Sequence, residues 1–165
     1  MSVPAYLWLY DETGTLIRGD SEVLEREGSI EIQSFGHGLT VPYDGNTGRL
    51  TATRIHNAMN IEKEFDKSSP YLYRAVSTNK PLQKAIIRWY RIDQTGAEQE
   101  FFQMLLESVK VIGIHPNMHN FKHPEGLLST PTESISLIYN KITWKYLNGN
   151  IQYTDEWNGR IIAQD

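Results

Sequence analysis

Cysteine occurs nowhere in the 165-residue sequence. Disulfides, thiolate nucleophiles and cysteine-ligated zinc are thereby excluded, and the chain is indifferent to the redox state around it. Positive charge is scarce as well: 16 Lys and Arg against 20 Asp and Glu leave a net charge of −4. Nucleic-acid binders gather positive charge on one face. Here the basic residues are scattered, and a pair such as Arg88 and Arg91 is too sparse to track phosphates, so no nucleic-acid partner is expected. No apolar run approaches membrane-spanning length, so no membrane insertion is expected. Residues 1–6 hold neither a basic segment nor an apolar core, so they are not expected to be a cleaved signal, and the chain reads as cytoplasmic. Internal repeats and low-complexity stretches are also missing.

What is present is a globular composition, 39% hydrophobic and 22% charged, suited to a single domain over residues 1–165. Nine Tyr and four Trp favour strands, because flat rings pack on a pleated, half-buried surface. Residues 3–10 read as a first strand. A polar connection over 11–27 follows, either a functional loop or a plain crossing. Residues 29–41 read as a strand whose phase changes between Ile32 and Phe35, so a bulge is expected at 34–36, where Gly36 and Gly38 flank His37. Residues 44–48 are a turn. Residues 51–65 alternate, with Ile55, Met59, Ile61 and Phe65 inward and Arg54, His56, Asn60, Glu62 and Glu64 outward. One helix is expected, capped by Ser69, opened by Pro70 and ended at Asn79 before Pro81. Strands follow at 84–92, at 100–114 (Phe101, Leu105, Val109 and Val111 in phase), and at 133–146 with a bulge near Asn140. A last strand, 150–157, folds back after the Asn148-Gly149 turn. Residues 115–132 form the second long loop. The expected fold is mainly β: two antiparallel sheets closing into a barrel-like body with one flanking α-helix. Long strands leave edges that must be paired or covered.

Few residues suggest chemistry. His115, His119 and His123 are spaced by four, but Pro116, Pro124 and Gly126 make the segment a loop, so no metal site is expected. His37 or His56 could serve a small hydrolase, yet no nucleophile elbow is present. Gly36-His37-Gly38 lacks the Lys and helix of a phosphate loop. Glu62, Glu64 and Asp66 read as a solvated acidic face rather than glycosidase carboxylates. Trp89, Tyr90, Tyr139, Trp144 and Tyr146 form an aromatic stripe that either lines the pocket of a monomeric ligand-binding barrel or belongs to core and sheet surface. No catalytic residue and no cofactor is expected.

Several segments together resemble one family. They are Pro4-Ala5-Tyr6-Leu7-Trp8-Leu9, Arg26-Glu27-Gly28-Ser29-Ile30-Glu31-Ile32, Asn46-Thr47-Gly48-Arg49-Leu50-Thr51 and Lys67-Ser68-Ser69-Pro70-Tyr71-Leu72-Tyr73-Arg74-Ala75. Lys141-Ile142-Thr143-Trp144 and Asp155-Glu156-Trp157-Asn158 complete the set. In order and nearly end to end, these resemble the haemolysin-coregulated proteins, Hcp, tube subunits of type VI secretion systems. The resemblance implies a homohexameric ring that stacks into a hollow tube. It implies effector cargo in the lumen, the trimeric spike VgrG at the tip and a contractile sheath around it. It also implies assembly in the cytoplasm and export without a cleaved signal. A C-terminal toxin domain is not expected, and the tail at 160–165 has no evident role. Within that frame, Asp20, Glu22, Glu25 and Glu27 of the 11–27 loop are candidates for ring stacking against bases of the next ring. Gly36 and His37 are candidates for the lumen or its cargo. The alternative for Gly36 is that the bulge alone requires it.

Overall fold

The computed structural model describes residues 3–159, so the tail at 160–165 lies outside them. The first strand, β1 (Ala5–Tyr10), is buried on both faces. Ala5, Leu7 and Leu9 enter the main core, while Tyr6 and Trp8 join Ile86 and Tyr90 in a second cluster. The expected 11–27 loop is neither a plain crossing nor wholly loop. Asp11 Oδ1 accepts from the backbone N–H groups of Thr13 and Thr15, each at 2.9 Å. That tight turn returns β2 (Leu16–Ile17) onto β1. The chain then doubles back, with Gly19 N–H on Gly28 O at 2.9 Å and Ser21 N–H on Ser29 O at 3.1 Å. A Cβ on Gly19 would stand 2.5 Å from the Ser29 carbonyl oxygen, so only glycine permits this approach. Arg26 pins the segment down. Its guanidinium lies 3.7 Å from the Tyr90 ring centre, and it pairs with Glu98 at 2.7 Å.

The strand expected at 29–41 is three strands: β3 (Ile30–Ile32), β4 (Ser34–Gly36) and β5 (Leu39–Thr40). The phase change comes at Gln33 and is more than a bulge, because the chain changes sheets there. The strand expected at 51–65 divides likewise, into β6 (Ile55–His56) and β7 (Met59–Glu64). β3 pairs with β1 and β4 pairs with β7. Ile55 and Phe65, expected inside, are each 49% exposed. His56, expected outside, is buried, and Lys63 rather than Phe65 continues the inward row of Met59 and Ile61.

Helix α1 (Ser69–Thr78) ends as expected on Asn79, whose left-handed φ of 53° lets its N–H reach back to Val76 O. Its start differs. Ser68 is the cap residue and makes no side-chain cap bond, while Asp66 Oδ1 accepts from Ser68 N–H at 2.9 Å. The Ser69 hydroxyl instead accepts from Asp66 N–H and donates to Glu133. Leu72 and Ala75 drop into the core.

The remaining strands are β8 (Leu82–Ile92), β9 (Glu98–Asn117), β10 (Thr132–Ile138), β11 (Lys141–Tyr146) and β12 (Ile151–Glu156). β9 outruns the expected 100–114 and absorbs His115, so the second loop is shorter than 115–132. Its phase is not constant either. Ser108 sits at φ 55°, so Leu106 and Val109 both face the core while Leu105 turns to the second cluster. One sheet runs from β2 and β3 through β1, β8, β9 and β11 to β12. The other runs from the end of β9 through β10 and β7 to β4. The break near Asn140 is where the chain passes between them. The fold is thus mainly antiparallel β with one helix, but the hydrogen-bonded ladder is open rather than a closed barrel. Between the sheets, Leu7, Leu9, Ile61, Ile87, Leu106, Ile135 and Ile142 are at most 1% exposed. Each such side chain contributes about 1.5–3 kcal/mol by leaving water.

One charged pair lies inside. Lys63 and Glu133, both fully buried, face each other across β7 and β10. Lys63 Nζ also reaches Asp66 Oδ1 at 3.0 Å and Ser69 Oγ at 3.3 Å. Breaking the pair leaves Lys63 with Asp66 alone, or Glu133 without its cation, in a dry site, at about 3–5 kcal/mol. Glu133→Ala is therefore expected to lower stability by about that amount in urea denaturation at neutral pH. Lys63→Met combined with Glu133→Leu is expected to lose much less than either single change.

Candidate assembly interface

Residues 38–58 leave the body as an arm. β5 and β6 pair at its base and a Tyr43–Leu50 bridge lies further out. Asp44 Oδ1 closes the outer turn by accepting from the N–H groups of Asn46 and Thr47 at 2.8 and 3.1 Å. The arm carries Leu39, Val41, Tyr43, Leu50 and Ile55, which are 38–68% exposed. Large apolar side chains gathered on a projecting element mark a contact surface.

The base of the arm is built from polar groups. His37 Nε2 and His56 Nδ1 each lie 2.7 Å from the Tyr139 hydroxyl. His56 Nε2 lies 2.8 Å from Asp155 Oδ2. Arg54 binds both Asp155 oxygens, Nε to Oδ2 at 2.8 Å and Nη2 to Oδ1 at 2.7 Å, and donates to the carbonyls of Glu156 and Gly159. Trp144 and Trp157 stack on His56. The Arg54 hydrogen bonds, with a smaller one from His56, hold the Asp155 carboxyl at about 2, against 3.8 ordinarily, although burial opposes this. Burial, and then the Asp155 charge, pushes the Tyr139 phenol well up. Burial, and then the nearby His56, pushes His37 down.

This geometry answers the hydrolase reading. His56 and Asp155 do meet, but the hydroxyl on the other ring nitrogen belongs to Tyr139, which is 3% exposed and harder to ionise than usual. Such a group is no activated nucleophile. The aromatic stripe also comes apart. Trp89 packs between Phe35 and Phe102, Tyr90 lies under Arg26, and Tyr139 and Trp144 belong to the arm base, so they do not line one pocket. His115 stands in β9, and among the described residues no cluster of three ligating side chains occurs. No helix among them is long and apolar enough to cross a membrane.

A family profile described as "Type VI secretion system effector, Hcp" matches residues 6–146. The chain belongs to the Hcp family. A curated relative, the "Major exported protein" of Pseudomonas aeruginosa strain PAO1, is 29% identical over 172 residues, covering 99% of this chain and 100% of its own. An Hcp structure from the E. coli EAEC 042 pathovar is 46% identical, with a TM-score of 0.86 over 94% of this chain and 99% of that one. The secreted Hcp3 of Pseudomonas aeruginosa is 26% identical, with a TM-score of 0.78 over 96% of this chain and 100% of that one.

In this Hcp chain the four loop acids are exposed, beside the exposed Val23 and Leu24. Asp20 has a cation of its own chain nearby, Lys67 Nζ at 3.9 Å, whereas Glu25 sits at φ 68° on the outside of the return. Gly36 is exposed, a Cβ there would meet nothing within 4 Å, and its φ is not in the left-handed region. The backbone therefore does not require glycine at 36. His37 is committed to Tyr139. The arm and its anchor escaped the sequence reading, although the exposed Tyr43 and Leu50 flank a turn visible in the sequence.

Tyr139→Phe leaves two imidazole nitrogens without their partner and is expected to lower stability by about 1–3 kcal/mol in urea denaturation, with faster proteolysis within 38–58. The lowered Asp155 value adds stability above about pH 4 that is lost as pH falls towards 2. Asp155→Asn is expected to be less stable at neutral pH but flatter between pH 4 and 2 in acid-unfolding curves.

Proposed function

We propose that this Hcp chain is a non-catalytic structural subunit of the type VI secretion inner tube. Six copies close into a ring, rings stack into a hollow tube, and the tube carries effectors in its lumen. It assembles in the cytoplasm inside a contractile sheath, meets the trimeric spike VgrG at its tip and is exported without a cleaved signal. The observation that carries this reading is the arm: a braced, projecting hairpin whose apolar side chains are left in water by a single chain. A second copy would cover them. The free side of β12 supports it further. Among the described residues β12 pairs only with β11, and its Ile151 and Tyr153 are 67% and 66% exposed. Edges of this kind need a partner, and a head-to-tail contact that closes by rotation makes a ring. The name of the Pseudomonas aeruginosa relative supports export. A barrel-like closure of the body would run through β3 and β4, which lie on the far edges of the two sheets and are joined through Gln33.

Within the tube, Glu22, Glu25 and Glu27, with Asp20, are assigned to stacking between rings, since they stand exposed on a return that Arg26 holds rigid. Gly36 is assigned to the lumen, where its bare, open backbone leaves room for cargo. His37 shares that place but acts through the arm. Light scattering after size exclusion is expected to give six chains of 19.0 kDa each. A monomer would sink the ring. Asp20→Lys with Glu22→Lys is expected to abolish stacked rings in negative-stain images while hexamers persist, and unaltered stacks would remove this loop from the contact. Gly36→Arg is expected to assemble but to lose cargo.

A further inference from the structure

Both legs of the arm meet the body at one hydroxyl. His37 stands on the outgoing leg and His56 on the returning leg, and both touch Tyr139. A phenol has one proton to donate. The far side of His56 decides where it goes. The Asp155 carboxylate accepts only, so His56 Nε2 carries a hydrogen. In neutral His56 the Nδ1 lone pair then takes the Tyr139 proton, and the Tyr139 oxygen accepts from His37 Nε2–H. The relay runs from His37 to Tyr139 to His56 to Asp155 with each of these atoms partnered.

A first added proton can be absorbed. If His56 gains it, Nδ1–H turns on Tyr139, the phenol hydrogen swings to His37, and His37 changes tautomer. A second proton cannot. Two imidazolium N–H groups would then aim at one oxygen, and the buried phenol hydrogen would lose its acceptor. Charge points the same way. The facing charged groups are Arg54 and Asp155, which already neutralise each other at 2.7 Å, while Tyr139 and, beyond Trp144, Tyr153 are neutral phenols. A proton on His56 lies against Asp155, whose charge Arg54 already balances, so a second proton on His37 has no carboxylate of its own beside it. A cleft lined by Arg54, His56 and Trp157 opens beside the relay.

We infer that the His37–Tyr139–His56 relay is an acid-operated latch: once both imidazoles carry an added proton, their joint on Tyr139 breaks and the outgoing leg of the arm is freed. Arg54 keeps the returning leg tied, because Asp155 stays ionised down to about pH 2. His37 lies below its ordinary 6.5 in the latched state, so the released leg takes the proton more readily. The hold is present above about pH 6.5 and is lost as pH falls through the latched value. Loosening of rings on acidification would rest on the tube reading above. The latch itself belongs to one chain and is tested apart from it.

The test is amide hydrogen exchange on the full chain at about pH 7.5 and about pH 5.5, spanning the histidine range, with rates corrected for intrinsic pH dependence. Residues 37–43 are expected to lose protection several-fold at the lower pH while β8 is unchanged. His37→Gln, which still offers Tyr139 an N–H but takes no proton, is expected to hold protection equal at both. Equal protection in the unaltered chain, or the same loss in His37→Gln, overturns the latch. Should the variant not fold, histidine NMR titration of the unaltered chain decides. Two interdependent imidazole titrations that move the Tyr139 ring signals support the latch, and two independent ones overturn it. Light scattering at about pH 7.5 reads the oligomer separately.

Discussion

Strand β9 has to serve two sheets. Over its first part it lies between β8 and β11, and over its last part it is paired by β10. A strand shows alternate faces, so one strand can line the same core from two differently oriented sheets only if its phase is reset between them. The left-handed turn at Ser108 does this, bringing Leu106 and Val109 to the same interior. The chain changes sheets again at Gln33 and around Asn140, with a change of phase each time. These crossings bound the core, and one of them supplies the arm's root. Tyr139 lies where β10 gives way to β11, buried and still able to turn its hydroxyl to the two histidines.

The sequence showed where phase changes but not what changes with it. Period-2 reading located the irregularities at 32–35 and near 140 because apolar side chains changed parity there. It took them for bulges, since a bulge and a change of sheet leave the same local mark. At Ser108 the reading failed, because Leu105 and Leu106 both sit among apolar residues and either parity fits. Ile55 and Phe65 misled for a different reason. Both are apolar in the inward register, yet Lys63 takes the interior through Glu133, and Ile55 rides on the arm. His56 was read as outward from its neighbours alone. Its partners, Tyr139 and Asp155, lie 83 and 99 residues away and leave no spacing signal. The helix was legible because its stop, Asn79 before Pro81, is local chemistry.

Outward-facing surfaces and fold are divided between different kinds of residue. The body is held by buried aliphatic side chains, and its polar groups work at joints: Arg26 under the 18–29 return, Arg54 and Asp155 under the arm. What those joints present outward is apolar on the arm and acidic on the return. Rigid anchorage lowers the ordering cost of any contact these elements make, so surfaces that look like loops in the sequence are delivered as preformed shapes.

Lys63 and Glu133 sit directly opposite one another in the β7–β10 register. Two apolar strands could slide past each other by two residues and still bury the same kinds of side chain. Here such a slide would leave each buried charge facing an apolar neighbour. The pair therefore ties the β7–β10 register to charge as well as to apolar pattern, since a slipped alignment carries the cost of two unpaired buried charges.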